Sequence, residues 1–84
     1  MSKHGYHIHK IDKGVIGEIS KIQEELDELK DAQQQGVKIM ELVELADLIG
    51  AVELYLEKYH PDTTLNDLVV MKDVTRRAFE NGRR

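Results

Sequence analysis

The sequence predicts an all-α fold, an antiparallel helical bundle of about three helices per chain, completed by oligomerisation. Three observations carry this. The 84 residues contain one proline and are rich in Leu, Ile, Glu and Lys, which all favour helix. Apolar residues recur at helical spacing in three segments, and each segment ends at a Gly or Pro signal. Hydrophobic residues make up 40% of the chain but aromatic ones only 5%, so the core must be aliphatic. A chain this short buries a small core and commonly needs a second copy to complete it. A homo-oligomer, dimer or tetramer, is therefore expected. Residues 1–84 form one domain, with 1–12 readable as an N-terminal arm.

Val15, Ile19, Ile22, Leu26 and Leu29 recur with gaps of four and three, which predicts an amphipathic helix from about Gly14 to Gln35. Gly36 suits the left-handed residue that closes it. From about Lys38 to Tyr59 a second helix is apolar nearly all round, from Ile39 through Leu42, Val43, Leu45, Leu48 and Ile49 to Leu56. Such a helix belongs in the middle of a bundle. His60-Pro61-Asp62 breaks it. Thr64 with Asp67 resembles a capping box, with Asp in place of the usual Glu. A third helix then carries Leu65, Leu68, Val69, Val70, Met71, Val74, Ala78 and Phe79, and stops at Asn81-Gly82. Phe79 reads as core. Tyr55 and Tyr59, four apart, read as interface packing rather than as a platform for a base.

Two acid pairs stand out. Glu25 and Glu28 share a face of the first helix, as Glu44 and Asp47 do on the second. If the helices run antiparallel about Gly36, residues whose numbers add to 72 lie level. Glu25 is then level with Asp47, and Glu28 with Glu44, about 12 Å from the turn at 1.5 Å per residue. One such pair alone usually marks a solvated helix face. Glu44 and Asp47, however, lie amid the most apolar part of the chain, where like charges strongly destabilise unless a cation compensates them. Four oxygen ligands without Cys or His suit a hard ion, Mg²⁺ with Mn²⁺ as substitute. Mg²⁺ commonly bridges carboxylates to substrate phosphates, and a metal-activated water is the natural nucleophile for a phosphoanhydride.

The stretch Lys21-Ile22-Gln23-Glu24-Glu25-Leu26-Asp27-Glu28-Leu29, followed by Glu44-Leu45-Ala46-Asp47-Leu48, resembles the MazG-like all-α nucleoside triphosphate pyrophosphatases. Their hallmark is E-E-x-x-E followed, across a helix-to-helix turn, by E-x-x-D. The resemblance runs from about Val15 to Arg84, and the tail from Thr75 to Arg84 looks like the ends of short, phage-type members. It implies Mg²⁺-dependent cleavage of an NTP or dNTP to the monophosphate and pyrophosphate, in an oligomer whose subunits share active sites. It maps the metal ligands onto Glu25, Glu28, Glu44 and Asp47. Glu24, the first acid of the motif, either orients or deprotonates the attacking water or is an exposed helix acid. The chain is shorter than many members and has no Trp to stack on a base, so base preference does not carry over.

A triphosphate beside four carboxylates calls for more positive charge than the ion supplies. Lys21, Lys72 and Arg76 are candidates, with Arg77 beside them. Each also has a plain alternative, a pair with Glu25 for Lys21 and favourable charge near a helix C-terminus for the arginines. His4, His7 and His9 read as a mobile polar tail, with metal ligation the alternative. Neither acid pair is followed by the E-x-x-H spacing of di-iron bundles, which counts against an oxidase.

Several classes are excluded. A net charge of −4 argues against a general nucleic-acid binder. The absence of Cys excludes disulfide scaffolds and Cys-ligated zinc. The longest apolar run, Leu48–Val52, is far short of the roughly 18 residues a membrane span needs, and MSKHGYHIHK has no apolar signal region. A cytoplasmic setting, in a bacterium or a phage-infected host cell, is the expectation. The rival to an enzyme is a non-catalytic helical interaction module whose acids are solvated or bind a basic partner.

Overall fold

The computed structural model describes residues 7–82, and over these the chain is three helices without a strand: α1 (Ile19–Gln35), α2 (Lys38–Tyr59) and α3 (Leu65–Glu80). His4, Tyr6, Arg83 and Arg84 lie outside the described residues.

α1 begins five residues later than the apolar periodicity predicts. Gly17 takes a left-handed φ of 86°, which only glycine adopts at little cost, and Glu18 follows in an extended N-cap conformation. The segment before the helix folds back along its first turns. The Gly14 N–H donates to Glu24 Oε1 at 2.8 Å, and the Val15 N–H to Ser20 Oγ at 3.0 Å. Side chains of α1 thus satisfy backbone donors of the segment that leads into it. Val15 has the spacing of the stripe but not its helix.

The other boundaries follow the sequence signals. Gly36 closes α1 at φ 74°, its N–H donating to Gln33 O at 3.0 Å. With only Gly36 and Val37 between them, α1 and α2 reverse direction and pack side by side as an antiparallel hairpin. α2 ends where the His60 N–H reaches Leu56 O, ahead of Pro61. The capping box of α3 is complete: Asp67 N–H donates to Thr64 Oγ1 at 3.2 Å, and Thr64 N–H to Asp67 Oδ2 at 2.9 Å.

α3 rests lightly on α2, does not touch α1, and buries none of its residues. Among the described residues, the buried apolar ones are Ala32, Ala51 and Leu56. α2 is therefore not wrapped within one chain, since Ile39, Leu42, Val43, Leu45 and Ile49 all face outward. Phe79, read as core, is 63% exposed, because α3 extends away from the hairpin. The radius of gyration is 14.6 Å, against about 12 Å for a compact chain of this length. The accessible surface is 6424 Å², against about 5100 Å² for a compact monomer of this mass.

Candidate metal centre

The buried stripe of α1 is its acidic one. Glu24, Glu25, Glu28, Asp31 and Ala32 are buried, while Ile19 and Leu26 are exposed. These buried positions repeat at one helical face, and that face meets α2, where Glu44 is 0% exposed. The inner surface of the hairpin is thus built from carboxylates, with Ala32 and Ala51 as its small apolar members.

Glu25, Glu28, Glu44 and Asp47 come together there. One carboxylate oxygen from each lies within 4.8 Å of the others, with the three glutamates buried and Asp47 half-buried. The level pairing about Gly36 is the register that brings them together. Magnesium holds its oxygens at about 2.0–2.1 Å, so opposite ligands of one ion stand about 4.2 Å apart. Oxygens that all lie within 4.8 Å of one another need at most small side-chain rotations to reach that spacing. The donor set is all carboxylate oxygen and suits Mg²⁺ or Mn²⁺. The residues present fit such an ion.

Lys21 stands at the edge of this cluster. Its Nζ is 3.1 Å from Glu24 Oε1 and 3.5 Å from Glu25 Oε2. Burial pushes the ammonium pKa down, but the Glu24 hydrogen bond and the Glu25 charge outweigh it, so the pKa lies above its ordinary value. Glu24 is buried but stands outside the four-carboxylate group. Its Oε1 accepts from both Gly14 and Lys21, joining the segment before α1 to the helix. Lys72 and Arg76 are exposed on α3, beside Asp73 and Glu80 of the same helix. Within one chain they are not brought to the α1 carboxylates.

Two residues that sequence reasoning left out or set aside also belong here. Asp31 Oδ2 accepts the backbone N–H groups of Ile8, at 2.9 Å, and His9, at 2.8 Å. Its Oδ1 accepts from Gln35 Nε2 at 2.5 Å, and His9 Nε2 meets Gln34 Oε1. The expected mobile tail is therefore docked on α1 over residues 7–9, because two successive backbone donors converge on one carboxylate. Burial pushes the Asp31 carboxyl up, but the bonds from Gln35, His9, Ile8 and His7 together hold it below its ordinary value. This docking seats His7 against the acids, with Nε2 3.5 Å from Glu28 Oε1 and Nδ1 3.5 Å from Asp31 Oδ1. Asp31 was legible as the next member of the stripe, three residues after Glu28. His7 was not, since no periodicity links a terminal arm to a helix face.

Comparison with family models, with curated proteins and with solved structures finds no match to this chain. No helix among the described residues is long and apolar enough to cross a membrane.

Proposed function

We propose that the chain is a Mg²⁺-dependent nucleoside triphosphate pyrophosphohydrolase of the MazG-like kind, acting in the cytoplasm on an NTP or dNTP. The observation that supports this is the convergence of Glu25, Glu28, Glu44 and Asp47, the acids of the two motifs that carry the resemblance, on the inner face of the hairpin. These four would hold the ion. When bound, it polarises phosphoryl oxygens and lowers the pKa of a nearby water. The water oxygen attacks the α-phosphorus, the α–β bridging bond breaks, and pyrophosphate leaves with the bond electrons. Glu24, one position before the first ligand, takes the proton released by the water. Lys21 faces both the α1 acids and incoming phosphate, and Lys72 and Arg76 on the projecting α3 serve the phosphates from a neighbouring copy.

A homo-oligomer belongs to this reading. Its support is the aliphatic surface of α2 and α3, together with an accessible area about 1300 Å² above that of a compact monomer. The same surface favours the rival, a non-catalytic interaction module, and the two separate on metal and turnover. The test is incubation of the pure protein with a panel of NTPs and dNTPs plus Mg²⁺. Monophosphate and pyrophosphate in equal amounts are expected. Release of orthophosphate with a diphosphate product, or no turnover on any substrate, overturns the proposal. A module also shows no rise in melting temperature with Mg²⁺ beyond that of matched ionic strength.

A further inference from the structure

The docked arm adds a nitrogen to a set of oxygens. Ligand atoms of His7, Glu28 and Glu44 also lie within 4.8 Å of one another, a second group that shares two glutamates with the first. His7 belongs to it with a side chain only 9% exposed, which is unusual for a residue of a polar terminus. Its two ring nitrogens face different acids. Nε2 points toward Glu28 and Nδ1 toward Asp31. A histidine that ligates a metal commonly gives its other ring N–H to a carboxylate, which fixes the tautomer and the ring orientation. Asp31 occupies that position. The same carboxylate also clamps the backbone just after His7, through the N–H groups of Ile8 and His9. One residue thus both seats the arm and orients the imidazole.

We propose that His7 is a nitrogen ligand of a metal position shared with Glu28 and Glu44, and that Asp31 is its positioning residue. This rests on the carboxylate-site reading above and extends it from an all-oxygen set to a mixed one. The consequence is selectivity. Mg²⁺ is a hard ion that takes oxygen ligands, whereas imidazole suits first-row transition ions and the affinity of nitrogen-containing sites rises along that series. The His7 position therefore takes Mn²⁺ or Co²⁺ in preference to Mg²⁺. A purely carboxylate site has less reason to discriminate. Because the ligand arrives on the arm, occupation of this position also holds residues 7–9 against α1.

The test uses the full chain loaded with Mn²⁺ and read by pulsed electron paramagnetic resonance, which detects ¹⁴N bonded to the ion without any substrate. Wild type is expected to show ¹⁴N coupling, and His9→Ala to keep it. His7→Ala and His7→Gln, the second guarding against a packing defect, are expected to lose it while still binding Mn²⁺ through the carboxylates. Titration of free Mn²⁺ and Mg²⁺ should show a preference for Mn²⁺ that narrows about tenfold or more in His7→Ala. Asp31→Asn should weaken Mn²⁺ about tenfold, in the range typical for loss of an outer-shell partner. Mn²⁺ bound to wild type without ¹⁴N coupling, or coupling that survives in His7→Ala, overturns the His7 assignment and leaves the carboxylate site standing. Failure of wild type to bind Mn²⁺ at all overturns both.

Discussion

Glu44 is the most telling place to perturb the hairpin, because it is fully buried and belongs to both ligand groups. Glu44→Gln keeps the shape and removes one charge. At the outer limit of their separation, 4.8 Å, two unit charges at an effective dielectric of 20 repel by about 3.5 kcal/mol. Glu44 has three such neighbours, but the full sum is never reached. Relaxation and screening reduce it to the range usual for a single substitution, about 1–3 kcal/mol. The metal-free variant should therefore be more stable than wild type by about that amount, a rise in melting temperature of about 4–8 °C for each kcal/mol in a domain of this size. With Mg²⁺ the order changes. At a hundred times its Kd a bound ion stabilises wild type by about 2.7 kcal/mol, and the variant should gain little of this. The assay is thermal melting followed by circular dichroism, at fixed protein concentration, with a chelator and then with Mg²⁺, beside turnover of the best nucleotide. An ordinary buried acid behaves in the opposite way, because its loss leaves hydrogen-bond partners unmatched. A metal-free melting temperature several degrees below wild type, or turnover that survives the substitution, refutes the reasoning.

The exposed face of α2 is open to a simpler test. Ile49→Glu places a charge on the surface assigned to a second copy, so sedimentation should show the wild-type oligomer shifted toward monomer, whereas an unchanged distribution would mean that this face is not the contact. Gly36→Ala meets no neighbouring atom, so its only cost is the left-handed φ of 74°, about 1–2 kcal/mol and a loss of several degrees in melting temperature with turnover retained. Glu18 is held below its ordinary value of 4.5 by hydrogen bonds from Lys58 and Tyr59, and Tyr59 is raised above 10.0 first by its bond to Glu18. Glu18→Gln should let Tyr59 ionise at lower pH in an ultraviolet titration. A depressed carboxyl contributes stability above its unfolded pKa and loses it as pH falls through the folded one. Wild type should therefore lose this tie below about pH 4.5, and the variant should show a shallower acid decline.

Local chemistry alone determines most of the secondary structure. The boundaries around Gly36, His60-Pro61 and Asn81, and the Thr64–Asp67 box, depend on backbone freedom and side chains within a few residues, so they are readable in one dimension. The level pairing of Glu25 with Asp47 and Glu28 with Glu44 is of the same kind, since a two-residue turn leaves one antiparallel register. The start of α1 is not, because Val15 keeps helical spacing while Gly17 leaves the helix, and a left-handed glycine leaves no mark on periodicity. The tertiary structure decides which stripe of α1 turns inward. Hydrophobicity alone directs Ile19 and Leu26 to the core, yet the hairpin brings in Glu24, Glu25, Glu28 and Asp31 to face Glu44 of α2, an arrangement of like charges that needs a compensating cation and that periodicity does not encode. It also decides that His7 joins the acids, through two backbone N–H groups that only a folded chain can bring to Asp31. A contact between residues 23 positions apart arises from chain geometry rather than residue type, which is why no spacing in the sequence announces it.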